Sequence, residues 1–371
     1  MALSFMEGNE ALARGAIAAG CDFFAGYPIT PATTIFNGML KMLPPKGGIC
    51  VQGEDEIASI GYCIGAAMAG SKVLTATSGP GISLYSEQIS FAIGSEIPLV
   101  IADVQRLGPS TGSATRGADS DIQFLRWGNT GGLPVIVLVP KDAEDCYTLT
   151  VHAFNYAEEF RCPVFIASNK EIGMTKESFD LDAVELPPLV EREMFTGENY
   201  IPFQAEENMA PPFLPIGGTT LVRQTSSTHG PDGYITIDPD VIAATQKRLE
   251  NKILAAEERI TLFEEDIKAD TDTLVISYGV TSRAVEDASA MLEQKGTPVS
   301  TLTLKTLWPV PETLLRKTAE SFKRVVVIEM NQGQYVGEIQ KILLDKKIEF
   351  YGQMDGVLIS PAKIMEVVEN D

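Results

Sequence analysis

Histidine is nearly missing from this chain of 371 residues, with only His152 and His229 present. A histidine triad or a multi-histidine metal site cannot be assembled from two imidazoles, so proton chemistry falls to carboxylates or to a cofactor. Cysteine is scarce too: Cys21, Cys50, Cys63, Cys146 and Cys162 stand far apart, and no two form a CxxC pair. That spacing argues against zinc ribbons, iron-sulfur ligation and a disulfide framework, and the thiols read as reduced, mostly buried small hydrophobes. Positive charge is in short supply, 29 Lys and Arg against 50 Asp and Glu, for a formal net charge of −21. Such a balance repels phosphate backbones and anionic bilayers, which leaves small molecules and other proteins as partners. No apolar run is long enough to cross a membrane, and MALSFMEGNE carries no basic segment ahead of an apolar core, so the reading is cytoplasmic. Also missing are a GxGxxG opening a helix after the first strand, a GxxxxGK[ST] loop, an HExxH pair and a G-x-S-x-G elbow.

What is present suffices for full cores: 44% of the residues are hydrophobic, and the length suits about two or three domains. From the start to about Asn169, short apolar runs alternate with helical patterns. Strands are predicted over 22–27, 49–52, 72–77, 98–104, 134–139 and 163–168, with helices over 10–20, 57–69, 81–94 and 143–160. Strands separated by helices of this length pair in parallel and build a doubly wound α/β layer. Residues 180–240 crowd prolines and glycines into an extended, irregular connection. A charged helix over about 239–267 then leads into a second α/β unit, with strands over 273–278, 299–304 and 324–329 and helices over 283–295 and 311–321.

Ligands of open parallel sheets bind at the carboxyl ends of the strands, where four loops line one rim: 26–31, 54–56, 77–81 and 105–112. Thr30, between Pro28 and Pro31, reads either as a helix N-cap or as a hydroxyl held in a fixed direction. Ser78-Gly79-Pro80-Gly81 is either a tight strand-to-helix turn or a place of close backbone approach to a ligand. Glu56 opens a helix, where the dipole alone would favour a carboxylate; a catalytic role is the sharper alternative. Behind it Gly61, Gly65 and Ala69 fall four apart, which suits a close contact with the sheet or with a partner chain. Arg106 offers a bidentate fork for an organic acid, or a surface ion pair; Arg116 and Arg126 admit the same two readings, with the ion pair favoured for Arg126.

The series GNEALARGAIAAGCDFFAGYPITPAT, EDEIASIGYCIGAAMAG, TATSGPGISLYSEQ and VQRLGPSTG, continuing to RCPVFIASN, RQTSSTHGPDGY and EMNQGQ, resembles the α subunit of 2-oxoacid:ferredoxin oxidoreductases, most of all the 2-oxoglutarate type. The likeness runs through nearly the whole chain with its motifs in order. It implies an α/β fold: a doubly wound pyrimidine domain of the thiamine diphosphate-binding kind at 1–190, an extended connection with a linker helix at 191–268, and a domain like the C-terminal one of transketolase at 269–371.

The resemblance also assigns roles. Glu56, followed by Ile57-Ala58 and by Gly65-Ala66, fits the family's activating glutamate, which hydrogen-bonds the aminopyrimidine of thiamine diphosphate and lets the cofactor deprotonate itself without a histidine. Glu54 fits that register less well. Thr77 and Ser78 would lie beside the cofactor, Thr30 and Arg106 would meet the substrate carboxylate, and Arg116 is the candidate for a second carboxylate. Leu107 and Ser113-Ala114 depart from the commoner pattern of this loop. With neither a GDG…N segment nor cluster-ligating cysteines, the diphosphate, its Mg and the iron-sulfur cluster are expected on a β subunit, and no metal on this chain. A separate γ subunit and a ferredoxin-like δ subunit are further expected partners. The activity implied is oxidative decarboxylation of 2-oxoglutarate to succinyl-CoA with coenzyme A and ferredoxin. A branched-chain oxoacid enzyme or a non-catalytic scaffold are the alternatives.

Overall fold

Fourteen strands organise the chain in a computed structural model that describes residues 3–206, 209–269 and 271–370. They are β1 (Ser4–Glu7), β2 (Phe23–Gly26), β3 (Ile49–Gln52), β4 (Val73–Thr77), β5 (Leu99–Gln105), β6 (Ile136–Leu138), β7 (Pro163–Asn169), β8 (Lys176–Phe179), β9 (Phe263–Asp266), β10 (Thr273–Tyr278), β11 (Ser300–Leu304), β12 (Thr306–Trp308), β13 (Arg324–Glu329) and β14 (Lys347–Gly352). Every residue of β4, β5 and β7 is buried, as befits central strands covered on both faces by helices. They lie in a seven-stranded sheet of order β12-β6-β7-β5-β4-β2-β3, parallel except at β12. The alternation of β5 divides the core. Val100, Ala102 and Val104 face the cluster of Leu12, Met39 and Phe154, whereas Leu99 and Ile101 face the one holding Ile60, Tyr85 and Ile89.

The first cluster depends on one close helix crossing. Helix Ala143–Phe160 starts at Asp142, whose carboxylate accepts from Asp145 N at 2.8 Å, and packs on helix Gly8–Ala18. A Cβ on Gly15 would sit 2.5 Å from the carbonyl oxygen of Tyr147, so only glycine permits the approach.

The second sheet, β14-β13-β10-β11-β9, is parallel except at β9. Here the structure departs from the sequence reading. The charged helix stops at Leu254, a short helix follows at Glu257–Ile260, and Phe263–Asp266 pairs antiparallel with β11 as an exposed edge strand. Charges on an edge strand discourage further pairing, but they leave no apolar alternation to read. Thr306–Trp308 belongs by sequence to the last unit, yet it pairs with β6 and closes the first sheet. Residues of both units share both apolar clusters. Segments β1 and β8, antiparallel to each other, were not legible from the sequence.

The irregular connection is fastened by buried charge. Arg192 holds Glu158 through Nε and Nη2 at 2.8 Å each, and donates also to the carbonyls of Ala67 and Ser71. All five cysteines are unpaired. Burial pushes the thiols of Cys63 and Cys162 up to about 12, which keeps them protonated and inert.

Candidate active site

The loops after β2, β3, β4 and β5 meet at the carboxyl edge of the large sheet. Asp55, not Glu56, caps the helix Glu56–Met68, accepting from Ala58 N at 2.7 Å, so Glu56 has no capping duty. Its side chain turns inward, at 9% exposure, to lie over the turn after β4. A Cβ on Gly81 would collide with Thr77 Oγ1 and stand 3.0 Å from Glu56 Cγ and 3.2 Å from Oε1. Glycine at 81 is thus the space into which carboxylate and hydroxyl both fit. Glu54 points elsewhere: exposed, it accepts from Tyr62 Oη at 3.3 Å.

Thr77 and Ser78 are fully buried, and neither hydroxyl has a hydrogen-bond partner. Buried hydroxyls seldom go unpaired, and these two end a strand beside a carboxylate that no side chain of the described residues hydrogen-bonds. Gly79, at φ +44, carries the chain round the corner.

Arg106 follows β5 and is 6% exposed. Its Nη1 donates to the carbonyl oxygen of Thr30 at 2.6 Å, while Nε has no partner. Burial presses its pKa down and the charges of Asp121 and Glu56 counter this, so both carboxylates lie near it. The N-cap reading of Thr30 is corrected: helix Thr33–Met42 begins with Ala32 at its N-cap and without a side-chain cap bond, and Thr30 is exposed on the turn before it. What fixes that turn is Asn9, whose buried amide donates to Pro31 O at 2.9 Å and Thr34 Oγ1 at 2.8 Å.

Thr30, Glu56, Thr77, Ser78 and Arg106 are therefore brought together, and Arg116 is not among them. Its side chain lies along the last unit's turn at Gly356, whose missing Cβ leaves room for Arg116 Cβ, Cγ and Cδ. The loop folds back on itself, with Leu107 paired to Ser113 and Leu107 N donating to Arg116 O at 2.9 Å. Arg126 sits over Trp127, its ring centroid 3.9 Å from the guanidinium carbon, and donates to the carbonyls of Gly132 and Leu133. The small-residue stripe does not face the sheet: Gly65 and Ala69 are exposed, and a Cβ on Gly65 would meet nothing within 4 Å.

Sequence reasoning missed a set of carboxylates beneath this rim: Asp103 and Asp119, both buried, and the half-buried Asp121. The available signal was Asp103 inside the otherwise apolar stretch LVIADV. It also left the EMNQGQ motif without a role. Asn331 Nδ2 donates to Asp119 O at 2.9 Å and Gln334 Nε2 to Ser120 O at 2.6 Å, so the motif clamps segment 119–121 to the last unit.

The sequence pattern of the pyruvate flavodoxin/ferredoxin oxidoreductase thiamine diphosphate-binding domain matches residues 14–247, and that of pyruvate:ferredoxin oxidoreductase core domain II matches 271–364. The 2-oxoglutarate synthase subunit KorA of Methanothermobacter thermautotrophicus is 39% identical over 371 positions, covering 98% of this chain and 97% of that one. The chain belongs to the pyruvate flavodoxin/ferredoxin oxidoreductase family.

For this oxidoreductase chain the relationship extends over its full length in other organisms. KorA of Archaeoglobus fulgidus is 38% identical, with 100% of each chain covered. The solved 2-oxoglutarate:ferredoxin oxidoreductase of Magnetococcus marinus, with 2-oxoglutarate, coenzyme A and succinyl-CoA bound, superposes with a TM-score of 0.91 at 31% identity. This chain covers 65% of that one, and 99% of itself is matched. A split-gene transketolase chain, 14% identical with a TM-score of 0.56, shares the fold alone. The family and the thiamine diphosphate-binding fold expected from the motifs are thereby established, and the relatives' names as subunits mark this chain as one component of a complex. Among the described residues no helix is long and apolar enough to cross a membrane. The family's cofactor fits the rim: a buried carboxylate and two orphaned hydroxyls are what a polar heterocycle requires.

Proposed function

We propose that this chain is the α subunit of a thiamine diphosphate-dependent oxidoreductase that converts 2-oxoglutarate, coenzyme A and oxidised ferredoxin to succinyl-CoA, CO2 and reduced ferredoxin. The observation that carries the reading is the full-length relationship to 2-oxoglutarate synthase subunits, joined to a rim that holds a carboxylate, hydroxyls and a guanidinium and no imidazole.

When bound, thiamine diphosphate supplies the nucleophile and electron sink that decarboxylation of a 2-oxoacid needs. This chain's residues would prepare it. Glu56 would share its carboxyl proton with the pyrimidine ring, a role for which a carboxylate free of capping and of internal partners is suited. Thr77 and Ser78 would turn their unpaired hydroxyls to the same ring. Arg106 would hold the oxoacid carboxylate by its fork, beside the hydroxyl of Thr30. Arg116, lying on the Gly356 turn, would serve a second carboxylate only if the 107–116 loop moved.

The diphosphate, its Mg and an iron-sulfur cluster would reside on a β subunit, with a separate γ subunit and a ferredoxin-like δ subunit completing the complex in the cytoplasm. The test is turnover by the native complex across a panel of oxoacids with a viologen dye as acceptor. Preference for 2-oxoglutarate and a co-purifying thiamine-binding chain are expected; preference for 2-oxoisovalerate would overturn the substrate assignment.

A further inference from the structure

Arg106 leads from the end of β5 into a loop that runs out and returns as segment 119–121, which has no regular structure of its own. The guanidinium has no ion pair among the described residues: Nη1 donates to the carbonyl oxygen of Thr30, and Nε is unpartnered. What aims this side chain is therefore the Thr30 carbonyl at its tip and the backbone at its root. The returning segment holds the root. Ser120 Oγ donates to Arg106 O at 2.7 Å, and Asp121 N donates to Gln105 Oε1 at 2.9 Å, one residue earlier. Ser120 also packs on the outgoing loop, where a Cβ on Gly108 would stand 3.6 Å from its Oγ.

Segment 119–121 in turn owes its place to the last unit. Asp119 N donates to Met330 O at 3.0 Å, Asn331 Nδ2 to Asp119 O at 2.9 Å, and Gln334 Nε2 to Ser120 O at 2.6 Å. Neither side chain is free to turn. Asn331, fully buried, also donates to Tyr278 Oη at 2.8 Å, and its Oδ1 accepts from the amides of Gly333 and Gln334 at 2.8 and 2.9 Å. Gln334 Oε1 accepts from Gln123 N at 3.0 Å, so an amide flip would set oxygen against the Ser120 carbonyl and NH2 against a main-chain N–H. Gln334, Ser120 and Arg106 thus form a continuous series of hydrogen bonds from the last unit to the rim. Displacing a group that binds substrate by about 1 Å can cost a hundredfold, so a series that ends on the backbone of Arg106 bears on the chemistry.

We propose that Gln334 and Ser120 are positioning residues for Arg106, so that the last unit, none of whose residues is among the five gathered at the rim, sets the affinity for the oxoacid carboxylate. The assignment rests on the reading of Arg106 as the carboxylate clamp. Asn331 fixes the turn that carries Gln334, Gln334 fixes the Ser120 backbone, and the Ser120 hydroxyl fixes the Arg106 carbonyl. The EMNQGQ motif then does more than join two units. A plain joint would act on stability and on every kinetic constant alike, whereas a positioning series acts on the one substrate that Arg106 holds.

The test uses the intact complex with the dye acceptor. Ser120→Ala keeps the carbonyl that Gln334 holds, so the joint between the units stays whole and Arg106 O alone loses its donor. KM for 2-oxoglutarate should rise about three- to tenfold, with kcat and KM for coenzyme A within about twofold of native. Gln334→Glu keeps the size but turns a donor into an acceptor facing the Ser120 carbonyl, and should raise the same KM by about tenfold or more. Added to Arg106→Lys, Ser120→Ala should raise KM by less than about twofold further, because both changes act through one side chain. An unchanged KM in Ser120→Ala, a parallel rise in KM for coenzyme A, or full additivity with Arg106→Lys would overturn the proposal. If Gln334→Glu does not assemble, Ser120→Ala still decides, since it breaks no bond between the units. A native complex that turns over no oxoacid sinks the proposed function and the proposal together. An Arg106→Lys variant with unchanged KM sinks the clamp, while an effective Arg106→Lys beside a silent Ser120→Ala sinks the proposal alone.

Discussion

Arg106 Nη1 donates to the carbonyl oxygen of Thr30 at 2.6 Å, joining the loop after β5 to the loop after β2 across 76 residues of sequence. The bond uses one end of the guanidinium and the backbone of Thr30, which leaves the hydroxyl of Thr30 and the rest of the fork for a ligand. Lysine carries the charge but not the planar fork, so Arg106→Lys should raise KM for 2-oxoglutarate by about ten- to a hundredfold, with kcat less affected. Thr30→Ala preserves the carbonyl, so any loss it causes reports the hydroxyl alone. Steady-state kinetics with the dye acceptor separates the two.

Glu56 and Glu54 are two residues apart, and their surroundings oppose each other. Glu56 is buried over Gly81 and Thr77, whereas Glu54 is exposed and paired with Tyr62. Glu56→Gln should lower kcat by about a hundred- to ten-thousandfold, the usual worth of a positioned acid or base, and leave the melting temperature unchanged. Glu54→Gln should retain near-native turnover. Unchanged turnover in Glu56→Gln would favour a scaffold subunit.

Much of this could be read from the sequence, because the central strands are continuous apolar runs and the rim loops carry glycine and proline at fixed places. The illegible parts share a physical cause. Phe263–Asp266 is a strand whose four residues are all exposed, so no burial pattern marks it; Thr306–Trp308 is a three-residue strand whose partner lies 168 residues earlier at Leu138. Helix Pro239–Leu254 ends where a charged sequence offers no stop signal. At the site, hydroxyls and carboxylates were visible as residue types, but Arg116 depends on where the Gly356 turn lies. The bond from Gln334 to Ser120 depends on two units meeting, which spacing does not encode.

Two glycines in this region should respond oppositely to the same substitution. At Gly81 a Cβ would collide with Thr77 Oγ1 and press on Glu56, so Gly81→Ala should cost about tenfold or more in kcat by displacing the carboxylate. Gly65 lies within a helix with nothing within 4 Å of its Cβ direction, so Gly65→Ala should stabilise the isolated chain by about 0.5–1 kcal/mol. Chemical denaturation of the isolated chain measures the gain. If assembly also weakens in the Gly65 variant, this face meets a partner subunit.

Glu96 sets the acid limit of the link between helix Pro239–Leu254 and the large sheet. Its carboxylate is fully buried, accepting from Lys252 Nζ at 2.7 Å and from Arg248 Nη1 and Nη2 at 2.8 and 2.6 Å. Burial alone would raise its pKa, but Lys252, Arg248 and Arg161 outweigh it and hold the group down at about 2. A depressed carboxylate stabilises the fold above its unfolded pKa near 4.5 and loses that contribution as pH falls toward 2. The shift corresponds to about 3 kcal/mol, so denaturant stability should fall by that order from about pH 5 to pH 2 in the native chain. Glu96→Gln leaves three cations without their anion and should be the most damaging single change here, about 3–5 kcal/mol at neutral pH, with the acid-dependent fall reduced. Lys252→Met should cost less, because Arg248 still holds both carboxylate oxygens. If Glu96→Gln keeps native stability at pH 7, the ion cluster does not hold the helix in place.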